Sequence, residues 1–544
     1  MKINNNILKA YLAVLIMIST SVYASSAKEI GLIPLPQKYE PGKGVFEINS
    51  KTKVVLEPDN VEMRDAAGLL VGLFQKAAGF SLNISSKKEA KNVITCRIVN
   101  GIDNKEGYRI KVSPNTIVIE GATAIGIFYG LQTIRQLLPS EIENAVSVGS
   151  SAKWIVPCMS VSDYPEFGYR GMMLDVCRHF MPKEFVMKFI DMMALHKLNI
   201  FHWHLTDDQG WRIEIKKYPK LIEIGAFRRM EIAGHKNSPD WTWKVGKYGG
   251  FYTQEDIREV VVYAKKRNVT IIPEIELPGH AMAALSAYPE LSCSGGPFEV
   301  VGRWGVFQDI YCSREETILF LQDVLNEIAD LFPGDYIHLG GDEAPKTRWQ
   351  RCKACQEIMA KEGLKNEIQL QTYFMGRMEK LLNKKGKKVI CWDEVVEGGM
   401  SKTVTIMSWR GEEGGIQAAR NGNDVIMTPN KLVYFDYYQG DKISEPPAIG
   451  GFLPLEKVYE YSPVPKELTS EEAKHIKGVQ ANVWTEYMPD EKQVEYMVFP
   501  RIAALAEVAW SSQDTKNLEN FKIRLANLIE HYSSLKINYR KSGD

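Results

Sequence analysis

No excess of charge of either sign marks this chain. Lys+Arg and Asp+Glu both number 67 in 544 residues, so the formal charge at pH 7 is zero. That removes the electrostatic footprint of a nucleic-acid binder or of a protein held on an anionic membrane. Long apolar runs are missing too. The run at residues 10–18 is too short to span a bilayer. With Lys2 and Lys9 before its end and Val22-Tyr23-Ala24 after it, it reads as a secretory signal cleaved after Ala24, which makes the chain secreted or periplasmic. No cysteine sits near that site to carry a lipid. Cysteine is scarce: eight residues do not define a disulfide framework at this length. Cys96, Cys158, Cys177 and Cys391 lie in apolar, strand-like contexts and read as core. Cys293 and Cys312 flank a Gly-rich loop and are placed to staple it. Cys352-Lys-Ala-Cys355 has no second ligand pair at zinc spacing, which leaves a local disulfide or two free thiols.

What is present is ordinary globular composition, 45% hydrophobic and 25% charged. The length exceeds one compact core, so at least two domains are expected. Residues 25–157 read as a non-catalytic α+β unit. Residues 54–56 and 92–98 have strand character, 61–78 and 122–138 helical spacing, and 108–112 with 116–120 form a hairpin pattern. No paired acids or histidine clusters stand out there.

From residue 158 to 513 the pattern changes to strands alternating with helices. Apolar runs at 171–176, 199–205, 270–275, 336–339, 388–391, 403–407, 424–427 and 478–483 are separated by amphipathic stretches such as 183–196 and 316–331. Eight βα units imply a parallel (β/α)8 barrel. The alternative, a doubly wound open sheet, lacks a Gly-rich dinucleotide fingerprint after any strand. Residues 514–544 add a C-terminal helix packed on the barrel.

Barrel sites sit at the C-terminal strand ends. Those ends carry Asp175, Arg178 and His179; His202, His204, Asp207, Asp208 and Trp211; Glu274, Glu276 and His280. Further round come Asp342 and Glu343, Trp392 to Glu394, Trp409 and Arg410, Tyr434 and Asp436, and Trp484 and Glu486. Two glycines precede the Asp342-Glu343 pair and let the backbone turn tightly there. Adjacent carboxyls in different surroundings can hold different protonation states. Carboxylates and Arg hold hydroxyl groups, and Trp rings pack on apolar sugar faces, so the mixture favours a carbohydrate. A divalent metal on His202, His204 and His280 is the lesser reading, because Arg178 on the same rim opposes a cation.

Five motifs then carry a resemblance. They are Arg170-Gly-Met-Met-Leu-Asp-Val-Cys-Arg-His179, Phe201-His-Trp-His-Leu-Thr-Asp-Asp-Gln-Gly-Trp211, Ile272-Pro-Glu-Ile-Glu-Leu-Pro-Gly-His280, His338-Leu-Gly-Gly-Asp-Glu343 and Val483-Trp-Thr-Glu486. In this order they resemble glycoside hydrolase family 20, the β-N-acetylhexosaminidases, over nearly the whole mature chain. The resemblance implies a cofactor-free, exo-acting, retaining glycosidase that uses the substrate's 2-acetamido oxygen as nucleophile, through an oxazolinium intermediate. It implies Glu343 as acid and then base, and Asp342 as the group that orients the acetamido N–H. Tyr434 would bond the acetamido oxygen, with Asp436 beside it. Trp392, Trp409 and Trp484 would wall the pocket. Arg178 and Glu486 would hold outer hydroxyls, and Asp207 with His280 would set the protonation of Glu343. The family's loop cysteines favour a Cys293–Cys312 disulfide. Residues 429–477 contain no Trp for the next sugar, leaving Phe452 or Tyr438 as stand-ins. A disaccharide-releasing, lacto-N-biosidase-like member and a carbohydrate-binding protein without catalysis are the alternative readings.

Overall fold

The computed structural model describes residues 30–87, 90–147, 149 and 152–541. The expected signal segment, residues 1–24, lies outside the described residues. Among the described residues no helix is long and apolar enough to cross a membrane.

The N-terminal unit is a seven-stranded mixed sheet in the order Lys38–Ile48, Trp154–Asp163, Tyr108–Val112, Thr116–Gly121, Val93–Ile98, Lys53–Glu57, Asn83–Ser85. Helices Val61–Ala77 and Ala124–Leu137 pack beside it. Asn60 and Thr123 cap them by accepting from the backbone N–H of Met63 and Ile125. Tyr108–Val112 and Thr116–Gly121 pair antiparallel, as their alternation predicts. The strand Trp154–Asp163 runs beyond residue 157. It pairs with Lys38–Ile48 on one side and Tyr108–Val112 on the other. Sheet pairing therefore keeps residues 158–163 with the N-terminal unit rather than with the barrel.

The barrel strands are β1 (Tyr169–Asp175), β2 (Ile200–His204), β3 (Thr270–Glu274), β4 (Tyr336–His338), β5 (Lys388–Trp392), β6 (Thr405–Ser408), β7 (Val425–Met427) and β8 (Ile476–Val483). They close in sequence order, all parallel, with β8 joined back to β1. Every residue of β1 is buried, as expected for a parallel strand covered on both sides. Helices Lys183–Leu195, Gln254–Lys265, Glu315–Leu331, Glu367–Lys384, Glu413–Asn421 and Arg501–Trp510 belong to the outer ring. After β5 the ring is reduced to a 3-10 segment, Asp393–Gly398.

The two units meet at the barrel floor around buried ions. Arg170 bonds Glu106, the Phe167 and Lys197 carbonyls and the Tyr129 hydroxyl. Asp163 accepts from Lys197 Nζ at 3.0 Å and Trp510 Nε1 at 2.9 Å. The C-terminal helix Leu518–Ser534 touches both units. Arg524 reaches Glu507 and the Leu32 carbonyl at 2.7 Å each, and His531 meets Glu143 at 3.1 Å.

Candidate active site

β4 ends at His338, and the chain then turns through Leu339-Gly340-Gly341 into Asp342-Glu343. Gly340 and Gly341 have φ of +65° and +105°, a region side chains rarely adopt. A Cβ on Gly340 would sit 1.8 Å from Glu276 Oε2. Glu343 and His280 are themselves left-handed, at +43° and +46°. Non-glycine residues held this way cluster where the surrounding structure enforces a functional geometry.

The turn sends the two acids into different surroundings. Asp342 is buried, and its Oδ1 has no hydrogen-bond partner among the described residues. The Glu343 side chain is 41% exposed. His280 stands behind both, with Nε2 3.5 Å from Glu343 Oε2 and 3.6 Å from Asp342 Oδ2. Its Nδ1 lies 3.0 Å from Asp208 and 3.3 Å from Asp207. The pairing expected of Asp207 alone is thus shared, with Asp208 the nearer acid. Asp207 Oδ2 is also taken, by Arg178 Nη2 at 2.8 Å and His204 Nε2 at 2.9 Å.

These contacts separate the ionisations. Burial works against a charged His280, but Asp207 and then the bonds to Asp207, Asp208 and Glu343 outweigh it and hold the ring's pKa well above its usual value. Burial, and next the nearby Glu343, Glu274 and Asp207, push Asp342 up to about 6, although His280 opposes this. The hydrogen bond from His280 holds Glu343 below the ordinary carboxyl range. Without substrate, the buried acid is therefore the harder of the two to ionise.

Opposite the pair, β5, β6 and β8 deliver aromatic walls. Trp409 stacks on Tyr434 at 6.2 Å and 14°, Tyr434 lies 6.3 Å from Trp484, and Trp484 lies 6.1 Å from Trp392. Trp409 is fixed by its Nε1 bond to Glu394 at 2.9 Å. Burial, then Asp342 and Asp393, lift the Glu394 carboxyl to about 9. Arg178 is braced on three sides, by Gln209 at 3.0 Å, Asp175 at 3.3 Å and Asp207 at 2.8 Å, and its guanidinium lies 5.0 Å from the Trp484 ring. Asp436 Oδ1, Glu486 Oε2 and Trp392 Nε1 have no hydrogen-bond partner among the described residues. Buried polar atoms are normally satisfied, and all three residues line the same pocket, so these atoms are available to a ligand there.

Arg178, His280, Asp342, Glu343, Trp392, Trp409, Tyr434, Asp436, Trp484 and Glu486 share one pocket. Asp207 lies behind it, holding Arg178 and His280. Sequence reasoning missed Lys236, Asn430, Tyr437 and Ile449, which also line it. Lys236 rides on the connection between the hairpin strands Phe227–Ala233 and Thr242–Gly249, for which only the alternation near residues 242–248 gives a signal. Tyr438 and Phe452 do not line the pocket; their neighbours Tyr437 and Ile449 do. Trp211 is core, donating from Nε1 to the Ile213 carbonyl. The three histidines of the metal reading diverge. His202 and His204 both turn to Glu274, which His338 also contacts at 2.8 Å, whereas His280 turns to Asp207 and Asp208. The expected Cys293–Cys312 disulfide is not formed, and all eight cysteines are free. Cys293 Sγ and Cys312 Sγ each lie 3.6 Å from Cys355 Sγ, so a third cysteine stands within reach of both.

Known proteins resemble this chain in sequence and fold. Residues 167–513 match the catalytic domain of glycosyl hydrolase family 20, and residues 29–164 match domain 2 of the same family. A β-hexosaminidase of Porphyromonas gingivalis is 46% identical over 94% of this chain, which spans 64% of that relative's length. A β-hexosaminidase of Vibrio furnissii is 35% identical over 91% of the chain and 79% of its own. The crystal structure of a family 20 exo-β-N-acetylglucosaminidase of Vibrio harveyi, in complex with N-acetylglucosamine, superposes with a TM-score of 0.83 at 33% identity, covering 95% of this chain and 79% of that one. By its motifs, its two domains and its rim geometry, the chain belongs to glycosyl hydrolase family 20.

Proposed function

We propose that this protein is an exo-acting, retaining β-N-acetylhexosaminidase that removes terminal N-acetylhexosamine by substrate-assisted catalysis. The observation that carries the reading is the buried Asp342, with an unpartnered Oδ1, set beside the more exposed Glu343 in an aromatic pocket. A buried carboxylate with a free acceptor suits the N–H of a 2-acetamido group, which favours its ionised form as the group arrives. Ionised Asp342 then stabilises the positive charge that develops as the acetamido oxygen attacks C1. Tyr434, between Trp409 and Trp484, would donate a hydrogen bond to that oxygen, and the indoles would pack on the acetyl methyl.

The His280 ring supplies the proton logic. Charged through Asp207 and Asp208, it lies 3.5 Å from Glu343. As a bound sugar excludes water from Glu343, its carboxyl rises and draws a proton from the ring. Glu343 protonates the leaving oxygen, and as a carboxylate it then activates the water that opens the oxazolinium ring. Arg178 and Glu486 fit the hydroxyls of the non-reducing sugar, which favours exo action.

Comparing a nitrophenyl N-acetylglucosaminide with the plain nitrophenyl glucoside tests the reading. Turnover of the first and none of the second is expected, and equal turnover of both overturns it. We also propose that the protein is exported, on the strength of Lys2, Lys9, the apolar run and Val22-Tyr23-Ala24. N-terminal sequencing of the protein from its native host should begin at Ser25, and an intact Met1 would refute export by cleavage.

A further inference from the structure

Cys293, Cys312, Cys352 and Cys355 are far apart in the sequence but meet in space. Cys293 and Cys312 each directly follow a member of the bridge pair Ser292 and Tyr311, on the connection after β3. Cys352 and Cys355 lie at the start of helix Lys353–Glu362, after β4. Their sulfurs all fall within 4.8 Å of one another. The Cys293–Cys355 and Cys312–Cys355 separations are 3.6 Å, and Cys312–Cys352 is 3.8 Å. Bonded sulfurs stand at about 2.05 Å. A tetrahedron of thiolates around zinc, with bonds of about 2.3 Å, has edges of about 3.8 Å. Three of the six separations match that edge, and the other three stay within 4.8 Å.

We infer that these four cysteines bind one zinc ion as a closed structural site, a metal centre separate from the glycosidase pocket. Binding converts four thiols to thiolates and releases four protons, with no oxidant or reductant needed. Sulfur donors in a tetrahedron take zinc or iron. Cys293 and Cys352 are only half-buried, and redox-inert zinc suits sulfurs that near solvent. Four thiolates and one divalent ion leave a double negative charge. Arg314 is held beside it by its bond to the Ser292 carbonyl at 2.8 Å. The spacing rule for zinc fails on this sequence because only one ligand pair is a short Cys-x-x-Cys. The other two ligands are 19 residues apart and are brought together by the Ser292–Tyr311 bridge.

The site has a job that follows from its position. It fastens the loop carrying His280 to the loop carrying Asp342 and Glu343. Tyr311 continues both ways from the cluster, donating its N–H to the Pro278 carbonyl at 3.0 Å and accepting from Trp349 Nε1 at 2.8 Å. Arg348 adds an ion pair to Asp309 at 2.9 Å.

The test is elemental analysis of the full chain, purified without chelators or a histidine tag from zinc-replete medium. About one zinc per chain is expected, falling at least about fivefold in Cys355→Ser and in Cys293→Ser. Thiol titration of the wild type in denaturant with chelator should find all eight cysteines reduced. Chelation should lower the wild-type Tm by about 5 °C or more and leave the Tm of Cys355→Ser unmoved. The wild-type metal and thiol counts stand even if the variants fail to fold. No stoichiometric zinc, or four missing thiols mapped as two disulfides, overturns the inference. One iron per chain, with thiolate-to-iron absorption in the visible, overturns the choice of metal.

Discussion

Asp342 and Glu343 are sequence neighbours with opposite electrostatics, and the difference is measurable. Burial raises Asp342 to about 6, and the hydrogen bond from His280 lowers Glu343. If Asp342 works as an anion, kcat/KM should rise with pH through about 6, and Asp342→Asn should lose that rising limb in its residual activity. A rising limb retained in the variant would assign it to another group. Asp342 also affects stability. Its folded pKa lies above the unfolded value, so its contribution to stability is fully present below about pH 4 and is lost as pH rises through about 6. Asp342→Asn should therefore be more stable than wild type at pH 7.5, by about 1–3 kcal/mol, while nearly inactive. Denaturant unfolding at pH 4 and 7.5 checks this, and a variant less stable at pH 7.5 contradicts it. Glu343→Gln should slow hydrolysis of unactivated leaving groups by about 10²–10⁴-fold, with a smaller effect on nitrophenyl leaving groups that depart without a proton. Equal losses on both would remove Glu343 as the acid. The acids and the tryptophans were readable in the sequence because a strand end followed by a polar motif fixes where they point. The sequence does not single out Asp208 as the partner of His280. Adjacent acids at 207 and 208 look alike in one dimension, and only the path of the loop decides which lies nearer Nδ1.

At the level of elements, the eight strands were legible because apolar β-branched runs recur between amphipathic helices. The loops that shape the pocket were not. Lys236 and Ile449 come from long excursions whose local sequence is polar or mixed, and their position depends on what they pack against. His235 stacks on Tyr487 at 4.8 Å, for example, and that holds the connection bearing Lys236 against the loop after β8. The glycine turn after β4 was legible, and its tightness is testable. Gly340→Ala places a methyl against Glu276 and forces a positive φ on alanine. It should cost roughly 2 kcal/mol or more and lower kcat even where the protein stays folded. Wild-type stability and turnover in this variant would show that the turn tolerates a side chain.

Across the whole molecule, the N-terminal unit is bound to the barrel floor by desolvated ions rather than by a linker. Asp163 is buried and gathers Lys197, Trp510, Tyr108 and the Gln37 N–H. Removing one member of such a set leaves buried charge uncompensated, so Asp163→Ala should destabilise by about 3–5 kcal/mol. Wild type should unfold in one calorimetric transition, and two well-separated transitions would mean that the units fold independently. The floor holds the scaffold, and the opposite rim carries the proposed chemistry, in which the substrate rather than an enzyme carboxylate is the nucleophile. The most direct test is the rate across nitrophenyl glucosaminides whose N-acetyl group carries zero, one, two or three fluorines. Each fluorine weakens the amide oxygen as a nucleophile. A steep and progressive fall in kcat/KM is predicted, and a rate insensitive to fluorination would contradict substrate assistance.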